Sequence, residues 1–199
     1  MKPLCVRVLG HSVTISVYFC VSLCVLLLAD RSGTLCWGLC AAVLHECGHL
    51  LAMRWVLHQV CEVHLTAFGM QLHRRALQTP SYGAECICAL AGPLVNLVVG
   101  TILMVLPCTV PRDAIATQYA LGLFNLLPID PLDGGQALRA LCGRLLSPVA
   151  TERMSVAVTF FCLLLLTSVV FLQVLQQQYN FSLLAIAVYL VIFFVQTVR

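Results

Sequence analysis

From Met154 to Val198 the chain carries no Asp, Glu, Lys or Arg. A soluble domain has no surface on which to place such a run, whereas a bilayer accepts it in helical spans of about 20 residues. The run is too long for one helix, and its polar centre QVLQQQYN, Gln173 to Asn180, divides it into two spans. Ser12 to Ala29 and Cys86 to Pro107 are further uncharged apolar runs, and Gly33 to Met53 is another, broken only by His45, Glu46 and His49. Ala114 to Ile129 is shorter and ends in the proline-broken LPIDPLDGG; as an irregular spanning element it brings the count to six. Composition agrees, with 61% hydrophobic and 10% charged residues and a mean hydropathy of +0.98. The expected class is an all-α polytopic membrane protein, residues 1–199 forming a single domain.

Sidedness follows from the basic residues. With six spans and a cytoplasmic N-terminus, Lys2, Arg7, Arg54, Arg74, Arg75, Arg139, Arg144, Arg153 and Arg199 fall inside, and only Arg31 and Arg112 fall outside. Positive charge is retained on the cytoplasmic face of membrane proteins, so this asymmetry predicts a multi-pass cell-membrane protein with both termini in the cytoplasm. Lys2 and Arg7 before an apolar run would also suit a signal peptide, but no small-x-small cleavage site follows, and the segment reads as a retained first span.

Between spans two and three, CEVHLTAFGMQLH (Cys61 to His73) alternates Val63, Leu65 and Ala67 with Glu62, His64 and Thr66 before Gly69. Period-two alternation with a turn residue predicts a short strand or β hairpin on the cytoplasmic side. The twelve cysteines lie mostly inside apolar runs without a C-x-x-C pair, which makes them small hydrophobes. A net charge of +3 without a basic, aromatic-interleaved run excludes nucleic acid as a partner.

The ionisable residues inside span two carry the chemistry. On a helix His45 and His49 lie one turn apart on one face, so both imidazoles can reach one metal ion, and Glu46 on the adjoining face can reach a water beside it. This H-E-x-x-H spacing binds zinc through its histidines and uses the glutamate as general base. Ionisable side chains at mid-membrane cost about 2.5–3.5 kcal/mol each, so three together require a partner such as a metal. Catalytic zinc commonly takes a third protein ligand, and the candidates are Asp130 and Asp133 in NLLPIDPLDGG, Asn125 to Gly135. At 1.5 Å per residue the histidines lie within about 12 Å of Met53, and Asp133 lies a similar distance from Arg139, all in the cytoplasmic half. Pro128 and Pro131 would free backbone carbonyls there, which is tolerable where they line a wet cavity.

HECGHLLA (His45 to Ala52), AGPLVN (Ala91 to Asn96) and NLLPIDPLDGG together resemble the site-2 protease family of intramembrane zinc metalloproteases. The resemblance is to its short six-span form, of the stage IV sporulation protein FB type. It implies one zinc per chain on His45, His49 and Asp133, with Glu46 as general base and Asn125 stabilising the transition state. FGM, Phe68 to Met70, is similar to the family's membrane-associated strand element, with Phe68 and Gly69 as substrate-binding positions. The chain ends soon after the sixth span, so neither the CBS domain of the sporulation protein nor a PDZ domain is expected. Asn96 either lines the site or bonds a neighbouring helix.

The expected function is hydrolysis of a peptide bond in or near a transmembrane or membrane-tethered segment, releasing a cytoplasmic regulator. The partners are a membrane-tethered protein substrate, the lipid bilayer and, as an open candidate, an inhibitory membrane protein. The alternative is a catalytically inactive zinc-binding scaffold or sensor, against which the intact Glu46 argues. An ion transporter would call for an inverted repeat or a second ligand cluster, and the sequence has neither.

Overall fold

The computed structural model describes residues 4–8, 11–30, 33–57, 61–66, 69–74, 81–106, 110–177 and 181–198. The chain divides into two compact units, Met1–Leu123 and Phe124–Arg199.

The first unit opens with β1 (Leu4–Val8) and β2 (His11–Ile15), which pair antiparallel with Val6 opposite Val13. β2 runs parallel to β3 (Cys61–Thr66), Val13 opposite Val63, and β3 pairs antiparallel with β4 (Gly69–Arg74). The result is one four-stranded sheet in the order β1-β2-β3-β4. Parallel neighbours need a crossover connection. Here the crossover is helical: the chain leaves β2 through α1 (Val17–Ala29) and comes back to β3 after α2 (Thr34–Val56).

This corrects the reading of the first span. Ser12–Ile15 belongs to a strand rather than to the span, and α1 has 13 residues, about 20 Å of helix. That is short of the roughly 30 Å hydrocarbon core. The reason is strand pairing: residues 13–15 have partners in β1 on one side and in the distant β3 on the other, and the β-branched Val13, Thr14 and Ile15 suit a strand better than a helix. The all-α expectation is corrected to the same extent, since β1 and β2 were expected to be neither strand nor sheet.

α2 begins after Gly33, whose φ of 74° is left-handed, and Asp30 accepts a hydrogen bond from the Leu35 amide at 2.8 Å. α3 (Tyr82–Val105) starts at Ser81, whose hydroxyl caps the Ala84 amide, and places Glu85 in its first turn, where a carboxylate suits the positive end of the helix. α4 (Arg112–Asn125) buries Ala114, Gln118 and Gly122, spaced four apart on one face.

In the second unit a turn over 126–132 leads into α5 (Asp133–Leu145), α6 (Pro148–Leu175) and α7 (Phe181–Val198). Ser147 caps α6 and Pro148 occupies its first turn, where a missing amide hydrogen costs nothing. Ile129, Leu163 and Leu190 form the core of this unit, with Phe124, Leu127 and Phe194 packed on it.

Among the described residues, α2, α3 and α6 are long and apolar enough to cross a bilayer, and Leu183–Thr197 forms a shorter apolar helix. Their outward faces carry large exposed hydrophobics such as Val98, Ile102, Phe160 and Leu164. Apolar surface on that scale belongs in lipid, and the chain is a membrane protein.

Candidate metal centre

α2 buries Ala41, His45, Gly48, His49 and Met53 along one stripe, so both histidines of the H-E-x-x-H segment face inward. α3 can approach that stripe closely because Gly48 has no side chain: a Cβ there would stand 2.8 Å from the Ala91 carbonyl oxygen and 2.9 Å from Val95 Cγ2. Gly92 on α3 faces the His49 ring, and a Cβ at that position would overlap its Nε2. The small residues of the AGPLVN stretch thus make room for an imidazole.

The two rings meet edge to face, with centroids 4.8 Å apart and planes at 78°. Each Nδ1 has an oxygen partner. His49 Nδ1 lies 2.8 Å from the Cys88 carbonyl oxygen, which can only accept, so that nitrogen carries the hydrogen. His45 Nδ1 lies 3.1 Å from Asn96 Oδ1. The Asn96 amide is oriented by its other end, where Nδ2 donates to the Ala41 carbonyl at 3.1 Å and to Gln118 Oε1 at 2.9 Å. Its oxygen is therefore left for His45, which must also donate from Nδ1.

Both rings, when neutral, then carry a lone pair on Nε2, and the two Nε2 atoms are 3.1 Å apart. Lone pairs that close repel unless a cation or a proton stands between them. Two nitrogens each about 2.0–2.1 Å from one tetrahedral zinc ion would be about 3.3–3.4 Å apart, close to the observed separation. Metal-binding histidines also characteristically donate their second ring nitrogen to a carbonyl or similar acceptor. The donor chemistry of this pair fits a zinc-type ion.

Glu46 is half-buried on α2, about 100° around the helix from His45. Phe68 lies outside the described residues, and Gly69 is the first residue of β4, opposite Thr66.

The second unit holds the remaining residues. Asn125 closes α4 and Asp133 opens α5 in its first turn, both half-buried. The turn between them folds back on the start of α5. A Cβ at Gly134 would overlap the Leu126 carbonyl, and one at Gly135 would stand 2.6 Å from the Ile129 carbonyl oxygen, which is why two glycines follow Asp133. Asp130 has a different environment. Its carboxylate pairs with Arg139 on α5, which also lies 3.7 Å from Glu152 on α6, and its amide donates to Thr159 Oγ1 at 3.2 Å. Asp130 is thus engaged in tying its turn to α5 and α6.

Residues 113–167 match the family model described as Peptidase family M50. That stretch carries Asn125, Asp130 and Asp133, and the H-E-x-x-H segment lies before it. Over its whole length the chain is similar in structure to the site-2 protease from Methanocaldococcus jannaschii, with a TM-score of 0.63 and 20% sequence identity, covering 100% of this chain and 96% of that one. The chain has a site-2 protease fold. No curated protein matches its sequence.

Asn96 is a candidate from the sequence, whereas Gln118 belongs to none of the motifs there. Both carboxamides are nine-tenths or more buried, at 0% and 4% exposure. The available signal was their position, since a polar residue inside an otherwise apolar helix needs a partner.

Proposed function

We propose that the chain is an intramembrane zinc metalloprotease that cleaves a peptide bond in or near a transmembrane or membrane-tethered segment of a protein substrate. The observation that carries this reading is the buried His45–His49 pair, with Nε2 atoms 3.1 Å apart, on the helix that also carries Glu46. The M50 match over residues 113–167 and the site-2 protease fold support it.

In this proposal His45, His49 and Asp133 hold one zinc ion; two imidazoles and a carboxylate are a donor set that could hold a metal. When bound there, the ion would supply Lewis acidity to a carbonyl and to a water. Glu46 takes a proton from the attacking water as its oxygen bonds to the carbonyl carbon. It then delivers that proton to the amide nitrogen as the C–N bond breaks, so the acid and base steps share one carboxylate. Asn125 donates its side-chain amide to the developing oxyanion.

A helical substrate keeps its carbonyls in internal hydrogen bonds, so it must unwind first. The edge of β4, which begins at Gly69, offers an extended segment a strand to pair with, and Phe68 and Gly69 are proposed as substrate-binding positions. We also propose six membrane elements, the short α1 among them entering the bilayer without the length of a full span, with both termini in the cytoplasm; this puts the cut in the cytoplasmic half and releases a regulator inward.

The test compares protein N-termini in membranes from cells making the unchanged chain or Glu46→Gln. The expected result is a set of N-termini, mapping to the cytoplasmic half of spans, that vanishes with Glu46→Gln while that variant still purifies with zinc. Identical N-termini in the two samples would overturn the protease reading.

A further inference from the structure

The first unit holds a chain of polar groups that the catalytic residues do not account for. It runs from the Gln118 side chain on α4 to Asn96 on α3 and on to His45 on α2, with the Ala41 carbonyl as a second anchor. Every link has a fixed polarity. The Ala41 carbonyl accepts only, so Asn96 must present its nitrogen there. Gln118 offers its oxygen to the same nitrogen, and both Asn96 amide hydrogens are then used. Only Oδ1 remains for His45.

We propose that Asn96 and Gln118 are positioning residues that hold His45 in the tautomer able to bind metal, with the hydrogen on Nδ1 and the lone pair on Nε2. This rests on the zinc reading above. If the Asn96 amide turned over, its nitrogen would donate to His45 Nδ1. The hydrogen of a neutral ring would then move to Nε2, and the metal-facing lone pair would be gone. The Gln118 acceptor opposes that turn, and so does the Ala41 carbonyl, which would otherwise face Oδ1.

The full chain, purified in detergent, is tested for zinc affinity by chelator competition, for the visible bands of bound cobalt, and for its thermal midpoint. Asn96→Leu removes the acceptor and is expected to weaken zinc by about 10–100-fold, the usual consequence of losing a partner of a metal-bound histidine. Asn96→Asp keeps an oxygen for His45 and should bind zinc more tightly than Asn96→Leu, with cobalt bands close to those of the unchanged chain. Gln118→Glu keeps the acceptor and should hold zinc as the unchanged chain does, while Gln118→Met should weaken it by about 10-fold. Should Asn96→Leu fail to fold, the two Gln118 variants decide.

Equal zinc affinity in Asn96→Leu, Gln118→Met and the unchanged chain, with His45→Ala losing the metal, overturns the positioning role and leaves the zinc reading intact. A lowered thermal midpoint at unchanged zinc affinity does the same, since it marks packing alone. An unchanged chain that binds no zinc, or that binds it as well after His45→Ala and His49→Ala, overturns the zinc reading itself.

Discussion

Gly92→Ala separates ordinary helix energetics from the demands of the site. In a helix interior, exchanging glycine for alanine is worth up to about 1 kcal/mol in favour of the folded state. At position 92 the new methyl would overlap His49 Nε2, and overpacking of this kind costs about 1–3 kcal/mol. If the ring swings away to relieve the overlap, its bond from Nδ1 to the Cys88 carbonyl is lost, a further 0.5–1.5 kcal/mol or so. The net expectation is destabilisation by about 1–3 kcal/mol, and zinc weakened by at least about 10-fold because His49 no longer faces His45. Gly38→Ala on α2 is the control, since a Cβ there meets nothing within 4 Å. Both variants are compared with the unchanged chain by thermal unfolding in detergent and by elemental analysis. Gly38→Ala should match or exceed the unchanged midpoint with full zinc. A Gly92→Ala chain with full zinc and a raised midpoint would show that His49 does not sit against α3 as described.

Asp130→Asn should leave zinc content unchanged and cost less than about 1 kcal/mol, because its Arg139 partner is 41% exposed and solvent-screened pairs contribute little. Asp133→Asn should lower zinc content in the same elemental analysis; if Asp130→Asn proved the more damaging, the assignment of the third ligand would be wrong. Gly134→Ala places a methyl on the Leu126 backbone carbonyl, which cannot rotate aside, and should destabilise the chain by about 3 kcal/mol, read as a drop in thermal midpoint. A zinc chelator should stop proteolysis by the purified chain, and added zinc should restore it; cleavage that continues in metal-free protein would exclude a metal-dependent step.

What could be read in advance was local. His45 and His49 meet because four residues make one helical turn, and no distant contact is needed to know it. The alternation in Cys61 to His73 likewise points to extended chain, and β3 and β4 occupy it. β1 and β2 escaped because β2 is secured by a parallel register with β3, a strand that arrives only after two intervening helices. Seen alone, Val13 to Ile15 extends the apolar run that follows it. Asp130 and Asp133 sit three residues apart in one turn, and spacing alone left both open as ligands. The ion pair of Asp130 with Arg139 depends on how the turn lies against α5. Gln118 was unremarked because its partner Asn96 is 22 residues away, on another helix.

The same arrangement bears on why small residues recur in these helices. Between helices in a membrane there is little hydrophobic driving force, so close packing and interhelical hydrogen bonds hold them together. Gly48 and Gly92 bring α2 against α3. Gly122 lies against Pro93 and Asn96, and Gly100 lies against Gln118 and Tyr119, so α4 passes α3 in the opposite direction. This close approach brings polar backbone and carboxamide groups within reach of the histidines: the Cys88 carbonyl of His49, and Asn96 of His45. A larger residue at any of these glycines would move a hydrogen-bonding partner as well as a helix. The packing of α2, α3 and α4 and the hydrogen-bond partners of the histidines are therefore set by one set of contacts, and a defect in the first should appear as a defect in metal binding.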